Sequence, residues 1–275
     1  MRRKSLFIIV LLFFSIFLSS CKDNINELKV DVIDVGQGDS ILIVTPDRKS
    51  LLVDAGEHDF SRSVIRDIKI NKIKKLDYVL GTHSDSDHIG GMDDVIEEVG
   101  AENLILSQDN NMKPELNELL NAAKSQNTNV LYAKSGDTID IGDDTSIYIL
   151  SPEKITDDPN KNSLVFLMKY KEHSLMFTGD ADSEIEGQIL RNYNLSHCDF
   201  LKAGHHGSKT SSSEKFIEAI TPNITAISCG YQNRYGHPSK ETLETLSKYN
   251  SNVYRTDLYG TLHFYFNDEG VFAGK

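Results

Sequence analysis

The order of predicted elements restricts the architecture most, because one plan occurs twice: a group of short strands, then strands alternating with helices. Residues 29–35, 40–44 and 51–53 are apolar runs separated by Gly36-Gln37-Gly38-Asp39 and by the turn-forming residues 46–49, which predicts an antiparallel meander. A helical pattern over 61–70 and a strand over 76–80 follow, and Met92, Val95, Ile96 and Val99 then fall at the i, i+3, i+4, i+7 spacing of an amphipathic helix. A strand at 104–106 and a second stripe behind Pro114 (Leu116, Leu119, Leu120, Ala123) complete the first half. In the second half, runs at 138–141, 146–150, 164–169 and 174–177 read as paired strands. Helices are expected after Asp182, near 213–220 and from Ser239, with strands at 200–202, 225–228, 253–255 and 262–266. Ser183 and Glu186 have the spacing of a capping box on the first of these helices. Two sheets packed face to face with helices outside would bury such patterns: an αββα sandwich, of the α/β class (α+β by some schemes). With 39% apolar and 25% charged residues the chain is ordinary globular material, enough for one domain over residues 28–275.

The first 20 residues read differently. Arg2, Arg3 and Lys4 precede an apolar stretch that is shorter than the roughly 20 residues a membrane-spanning helix needs, and small residues follow it. This predicts a signal peptide over residues 1–20. The run Leu18-Ser19-Ser20-Cys21 resembles the lipobox of bacterial lipoproteins, which implies a lipid on Cys21, a tether over 21–27 and an extracytoplasmic, membrane-anchored domain. Cys198 and Cys229 lack the spacing of a thiolate metal site; a disulfide between them is open outside the cytosol, and buried free thiols are the preferred expectation.

The chemistry concentrates in Gly81-Thr82-His83-Ser84-Asp85-Ser86-Asp87-His88-Ile89-Gly90-Gly91, between a strand end and a helix start. Four metal-capable side chains within six residues exceed what helix capping requires. On extended backbone His83, Asp85 and Asp87 would point one way, with His88 turning inward as the helix begins. Imidazole mixed with carboxylate suits zinc, manganese or iron(II) better than calcium or magnesium. There is no Gly-x-Ser-x-Gly and no cysteine beside a histidine of this kind, which disfavours a covalent side-chain intermediate.

The segment His83–Gly91 resembles the HxHxDH signature of the metallo-β-lactamase superfamily, in the HxDxDH form similar to the extracellular hydrolase domain of ComEC-type competence proteins. Further matches occur in the family's order: Asp34-Val35-Gly36-Gln37-Gly38-Asp39-Ser40, Leu52-Val53-Asp54-Ala55-Gly56, Asn162-Ser163-Leu164-Val165, Phe177-Thr178-Gly179-Asp180, Leu201 through Ser208, and Tyr235-Gly236-His237-Pro238. The resemblance implies a hydrolase with two divalent ions, zinc or manganese, and a metal-activated water. His83 and Asp85 would hold one ion, Asp87 and His88 the second, and Asp180 would bridge them or complete one site. One of His205 and His206 would complete the second, with His206 favoured. Asp87 would also orient the water, His237 would contact substrate or the leaving oxygen, and Asp54 would orient a ligand histidine. Asp85 stands where most of the superfamily has histidine, and the third-motif histidine is missing, with Asn162 nearby instead.

For substrate, the resemblance implies phosphodiester hydrolysis, as a phosphodiesterase or nuclease with DNA as a candidate. Small esters, lactones or amides are an alternative, and a non-catalytic lipid-anchored binding protein a further one. The formal charge is −12, and residues 1–20 hold three basic and no acidic side chains, so the remainder stands near −15. That balance opposes general affinity for phosphate backbones. A local basic rim of Lys202, Lys209, Arg234 and Lys240 is the expected compensation.

Overall fold

Apolar side chains on both faces of the strands decide the layering. In β2 (Ser40–Val44), Ile41 and Ile43 join one buried cluster while Leu42 and Val44 join another. A strand buried on both sides reads as a continuous apolar run, and such strands need cover above and below. The computed structural model describes residues 27–108 and 113–274, so the expected signal peptide, Cys21 and most of the tether lie outside the described residues.

The first sheet comprises β1 (Leu28–Val32), β2, β3 (Ser50–Ala55), β4 (Leu76–Gly81), β5 (Ala101–Ser107) and β6 (Asn129–Ala133). The second begins with β7 (Thr138–Gly142), β8 (Thr145–Ser151), β9 (Val165–Tyr170) and β10 (His173–Phe177), and continues with β11 (Phe200–Lys202), β12 (Ile224–Ile227) and β13 (Asn252–Arg255). The closing strands β14 (Leu262–Asn267) and β15 (Gly270–Ala273) return to the first sheet, giving the orders β15-β14-β1-β2-β3-β4-β5-β6 and β13-β12-β11-β10-β9-β8-β7. The meander β1-β2-β3 is antiparallel, whereas β3 through β6 run parallel, as do β10 through β13.

Helices α1 (Ser61–Ile70), α3 (Met92–Glu98) and α4 (Pro114–Ser125) cover the outer face of the first sheet through Val64, Ile68, Val95 and Leu119. A short turn, α2 (Ser86–Ile89), precedes α3. On the second sheet α5 (Ser183–Asn192), α6 (Glu214–Ile220) and α7 (Lys240–Lys248) bury Ile185, Ile217 and Leu246, and α8 (Thr256–Tyr259) leads into β14. Between the sheets lies a third cluster rich in Phe166, Phe177, Phe200, Phe264 and Phe266. These clusters make the four layers of an αββα sandwich. Among the described residues no helix is long and apolar enough to cross a membrane.

Two local expectations are corrected. The first strand ends at Val32, because Ile33 and Val35 turn from the inter-sheet core to the cluster under the helices. The capping box does not form: Asp182 caps α5 by accepting from the amides of Glu184 and Ile185. Glu186 instead turns to the backbone amides of Ser212 and Ser213, buried donors that need an acceptor more than an exposed helix end does. Both cysteines are free and buried, and burial pushes the Cys229 thiol up to about 12 and that of Cys198 higher still.

Candidate metal centre

The parallel strands deliver their C-terminal ends to one pocket. From β3 comes Asp54, in left-handed conformation at φ 57°, which turns its carboxylate back into the fold. Its two oxygens accept from the Thr82 amide (2.8 Å) and hydroxyl (2.7 Å), fixing the start of the loop that leaves β4. One of those oxygens also lies 2.8 Å from His88 Nδ1, so His88 carries its proton there and turns Nε2 toward the pocket. His83 packs beside it, ring centroids 4.1 Å apart. Extended alternation stops at Asp85 because α2 is already helical from Ser86. Asp85 reaches Lys113 with one oxygen and lies 3.7 Å from His83 Nε2 with the other.

The second sheet supplies the opposite wall. Gly179, at φ +49°, makes the turn after β10 that carries Asp180 inward. Beyond β11, His205 and His206 both adopt left-handed backbone (φ 48° and 55°). Such a pair costs conformational energy and persists where the surroundings over-determine it. Here the His205 amide donates to the Gly179 carbonyl, and His206 Nδ1 hydrogen-bonds the Ser228 carbonyl at 3.1 Å. His206 Nε2 then stands 3.4 Å from Asp87 and 3.6 Å from Asp180.

The convergence leaves strong polar atoms without partners. His83 Nε2, His88 Nε2, His206 Nε2 and Asp180 Oδ1 are all buried and make no hydrogen bond among the described residues. His88 Nε2 and Asp180 Oδ1 lie 3.2 Å apart yet are not aligned to bond each other. A buried polar atom left so is costly, and several of them aimed at one point fit a bound cation. Ligand-capable atoms of His83, His88 and Asp180 lie within 4.8 Å of one another, as do those of Asp87, His88 and His206.

The electrostatics agree. Burial alone would raise the carboxyls of Asp180 and Asp87, but the imidazoles of His88 and His206 overcome it and hold both below the usual range. Burial alone would lower the histidines, yet Asp180 with Asp54 raises His88, and Asp180 with Asp39 raises His206 to about 9. The pocket is a buried anionic basin that stabilises positive charge.

The remaining candidates scatter around this centre. His205 is more exposed and faces Asp180 at 3.6 Å. His237 lies at the mouth, its ring 5.7 Å from that of His205 and stacked on Tyr235, with Gln37 3.5 Å from its Nδ1. Asn162 is buried, but its amide is consumed by Thr156: the oxygen accepts from the Thr156 amide at 2.8 Å and the nitrogen donates to the Thr156 carbonyl. Its oxygen also accepts from the Thr156 hydroxyl at 3.2 Å, so Asn162 pins the loop before β9 and has no oxygen lone pair left for a metal. The expected basic rim is corrected at Lys202, which is 1% exposed and buried against Asp39. That pair was not assigned from the sequence; a lysine at a strand end beside Ala203-Gly204 looks like a surface charge until the sheets are assembled around it.

Outside the centre a cleft of about 770 Å³ is lined by Gln37, Asp85, Asp87, Lys113, Arg234 and Tyr235, together with Glu57, Ser86, Glu115 and Asn233. Arg234 lies over the Tyr235 ring at 4.9 Å, and Tyr231 and Tyr235 are both exposed.

Comparison with known proteins gives this arrangement a setting. A family model described as the metallo-beta-lactamase superfamily matches residues 33–231. ComE operon protein 3 of Bacillus subtilis is 33% identical over 281 residues, covering 94% of this chain and 36% of that protein. Competence protein ComA of Neisseria gonorrhoeae is 30% identical over 253 residues, covering 91% of this chain and 34% of that protein. The chain thus spans about a third of the length of these relatives. Among solved structures, CmlA, a diiron beta-hydroxylase from Streptomyces venezuelae, aligns with a TM-score of 0.57 at 12% identity, over 88% of this chain and 54% of that one. The metallo-beta-lactamase fold protein YhfI from Bacillus subtilis aligns with a TM-score of 0.54 at 15% identity, over 83% and 95%. At such identities these two speak for the fold alone.

Proposed function

The chain belongs to the metallo-β-lactamase superfamily, and from that premise we propose that this metal-dependent hydrolase cuts phosphodiester bonds, with nucleic acid as its substrate class. The observation that carries the reading is the set of buried, unpartnered donor atoms on His83, His88, Asp180 and His206, opening onto a cleft that holds Lys113 and Arg234. The similarity to a protein named for competence supports the choice of phosphodiester over other bonds.

We assign His83, His88 and Asp180 to one divalent ion and Asp87, Asp180 and His206 to a second. Asp180 can be shared because one of its oxygens faces His88 and the other His206. Asp85, 3.7 Å from His83 Nε2 and tied to Lys113, stands at the cleft edge of the first site, where it can complete that ion's ligand set. Nitrogen and oxygen donors without thiolate suit zinc or manganese. A divalent metal bound there supplies a Lewis acid for a phosphoryl oxygen and brings the acidity of water into the neutral range. Asp87, part exposed between pocket and cleft, orients the attacking water. His237 at the mouth contacts the leaving oxygen, and Lys113 and Arg234 hold phosphate, with Tyr235 offering a ring for a base.

The purified, metal-loaded protein is tested against bis-p-nitrophenyl phosphate, single-stranded and duplex linear DNA, and simple lactones. Phosphodiester turnover that a chelator abolishes and manganese or zinc restores is the expected result. Turnover of lactones alone would overturn the reading in favour of small esters, a second reading that the acidic cleft residues Glu57 and Glu115 and the net charge of −12 favour. The Leu18–Cys21 run further supports a lipid anchor that holds the domain outside the cytoplasm. Palmitate labelling of the full chain, lost in Cys21→Ser, tests that anchor.

A further inference from the structure

Two buried charges beside the centre, Asp39 and Lys202, have no part in the chemistry above. Lys202 closes β11 in the second sheet; its ammonium donates to Asp39 Oδ2 at 2.7 Å and to the Ala203 carbonyl at 2.9 Å. Asp39 follows the first strand of the other sheet, so this bond joins the two halves of the sandwich. Its amide donates to the Asp87 carbonyl at 3.1 Å, and its carbonyl accepts from Gly56. The approach to Asp87 requires glycine at position 38, where a Cβ would meet the Asp87 carbonyl oxygen at 2.4 Å. The second carboxylate oxygen of Asp39 is buried, makes no hydrogen bond, and lies 3.2 Å from His206 Nδ1.

By distance alone Asp39 has an oxygen within metal-sharing range of Asp180 and His206, and again of Asp54 and His88. Lys202 decides against a ligand role, because a divalent ion on this carboxylate would sit beside a fixed, buried ammonium. A purely structural tie is also a poor account. Well-packed apolar residues join two sheets as well as or better than a buried ion pair, which loses much of its attraction to desolvation. What the charged pair alone provides is an anion held immobile behind an imidazole.

We propose that Asp39 and Lys202 are positioning residues of the metal centre: Lys202 clamps Asp39 behind His206 so that, with the Ser228 carbonyl, it holds the Nδ1 edge of the ring in place and aims Nε2 at Asp87 and Asp180. The Asp39 amide meanwhile fixes the backbone of Asp87, so one residue sets the position of two donors. The inference rests on the assignment of His206 and Asp87 as metal donors.

The test is titration of Mn²⁺ and Zn²⁺ into the purified wild type, Lys202→Met, Asp39→Asn, the Asp39→Asn/Lys202→Met double variant and Lys202→Arg, with the metal-free melting temperature of each. Both single variants lower melting temperature and affinity, the affinity by about 10- to 100-fold, as for other residues that orient metal-binding histidines. The double variant, in which neither charge is stranded, regains melting temperature but not affinity, and Lys202→Arg regains much of the affinity. Should the single variants fail to fold, the double and the arginine variant decide the matter. Wild-type affinity in the double variant, or tighter binding by Lys202→Met, overturns the positioning role while leaving the metal centre intact. A wild type that binds neither ion overturns the metal centre itself.

Discussion

The inner and outer walls of the pocket are built on opposite principles. On the inner wall His88 and His206 are fully buried, and each has its Nδ1 occupied, by Asp54 and by the Ser228 carbonyl. On the outer wall Asp85 and Lys113 are part exposed and paired with each other, and Tyr235 is exposed between Arg234 and the His237 ring. Rigid, dehydrated donors suit a cation that must be held in fixed geometry, and adaptable, solvated side chains suit a substrate that must enter and leave. Under the proposed assignment, metal retention and substrate selection would fall to largely separate sets of residues, with Asp87 at their boundary, and would be separable by mutation.

The comparison breaks most visibly at His88. His88→Ala removes a donor that lies within reach of both candidate groups, and metal affinity is expected to fall on the order of a thousandfold, with hydrolysis lost in parallel, as read by chelator competition. Next comes Asp54→Ala, which leaves every donor in place but frees the His88 ring; affinity is expected to fall about 10- to 100-fold. An Asp54→Ala protein that binds metal as tightly as wild type would mean that packing alone orients the inner wall. The smallest effect belongs to the outer wall. Tyr235→Ala is expected to raise KM for single-stranded DNA about fivefold, the value of one partly solvated stack of about 1 kcal/mol, with metal affinity and kcat on bis-p-nitrophenyl phosphate unchanged. A Tyr235→Ala protein that loses metal would erase the division between the walls.

How far the site could be read from the sequence follows the same division. The donors of the first sheet lie in one run, His83 to His88, so their clustering needs no fold to be seen. Asp180 and His206 are far apart in sequence, and family resemblance drew them in; their meeting depends on parallel β10 and β11 ending side by side. The place of Asp85 is legible only in part: it lies 3.7 Å from His83 Nε2, as the motif's pairing expects, while its other oxygen is taken by Lys113, a partner far away in sequence. Asn162 drew attention as a substitute for a missing histidine, yet its polar atoms serve Thr156. The burial of Lys202 is not legible in the sequence at all, since charge type predicts exposure and only the closing of two sheets buries it. The layered fold was the more legible part, because apolar runs such as 41–44 leave few ways to hide both faces.

The two cysteines have a practical sequel. With Cys198 and Cys229 shielded from solvent and both thiols pushed up by burial, the folded domain is expected to leave these two cysteines unlabelled by alkylating and maleimide reagents, as a thiol count before and after denaturation checks. In a Cys21→Ser chain, a single new cysteine in place of exposed Tyr231 would therefore take a fluorophore or spin label at one defined point, with Cys198 and Cys229 left in place.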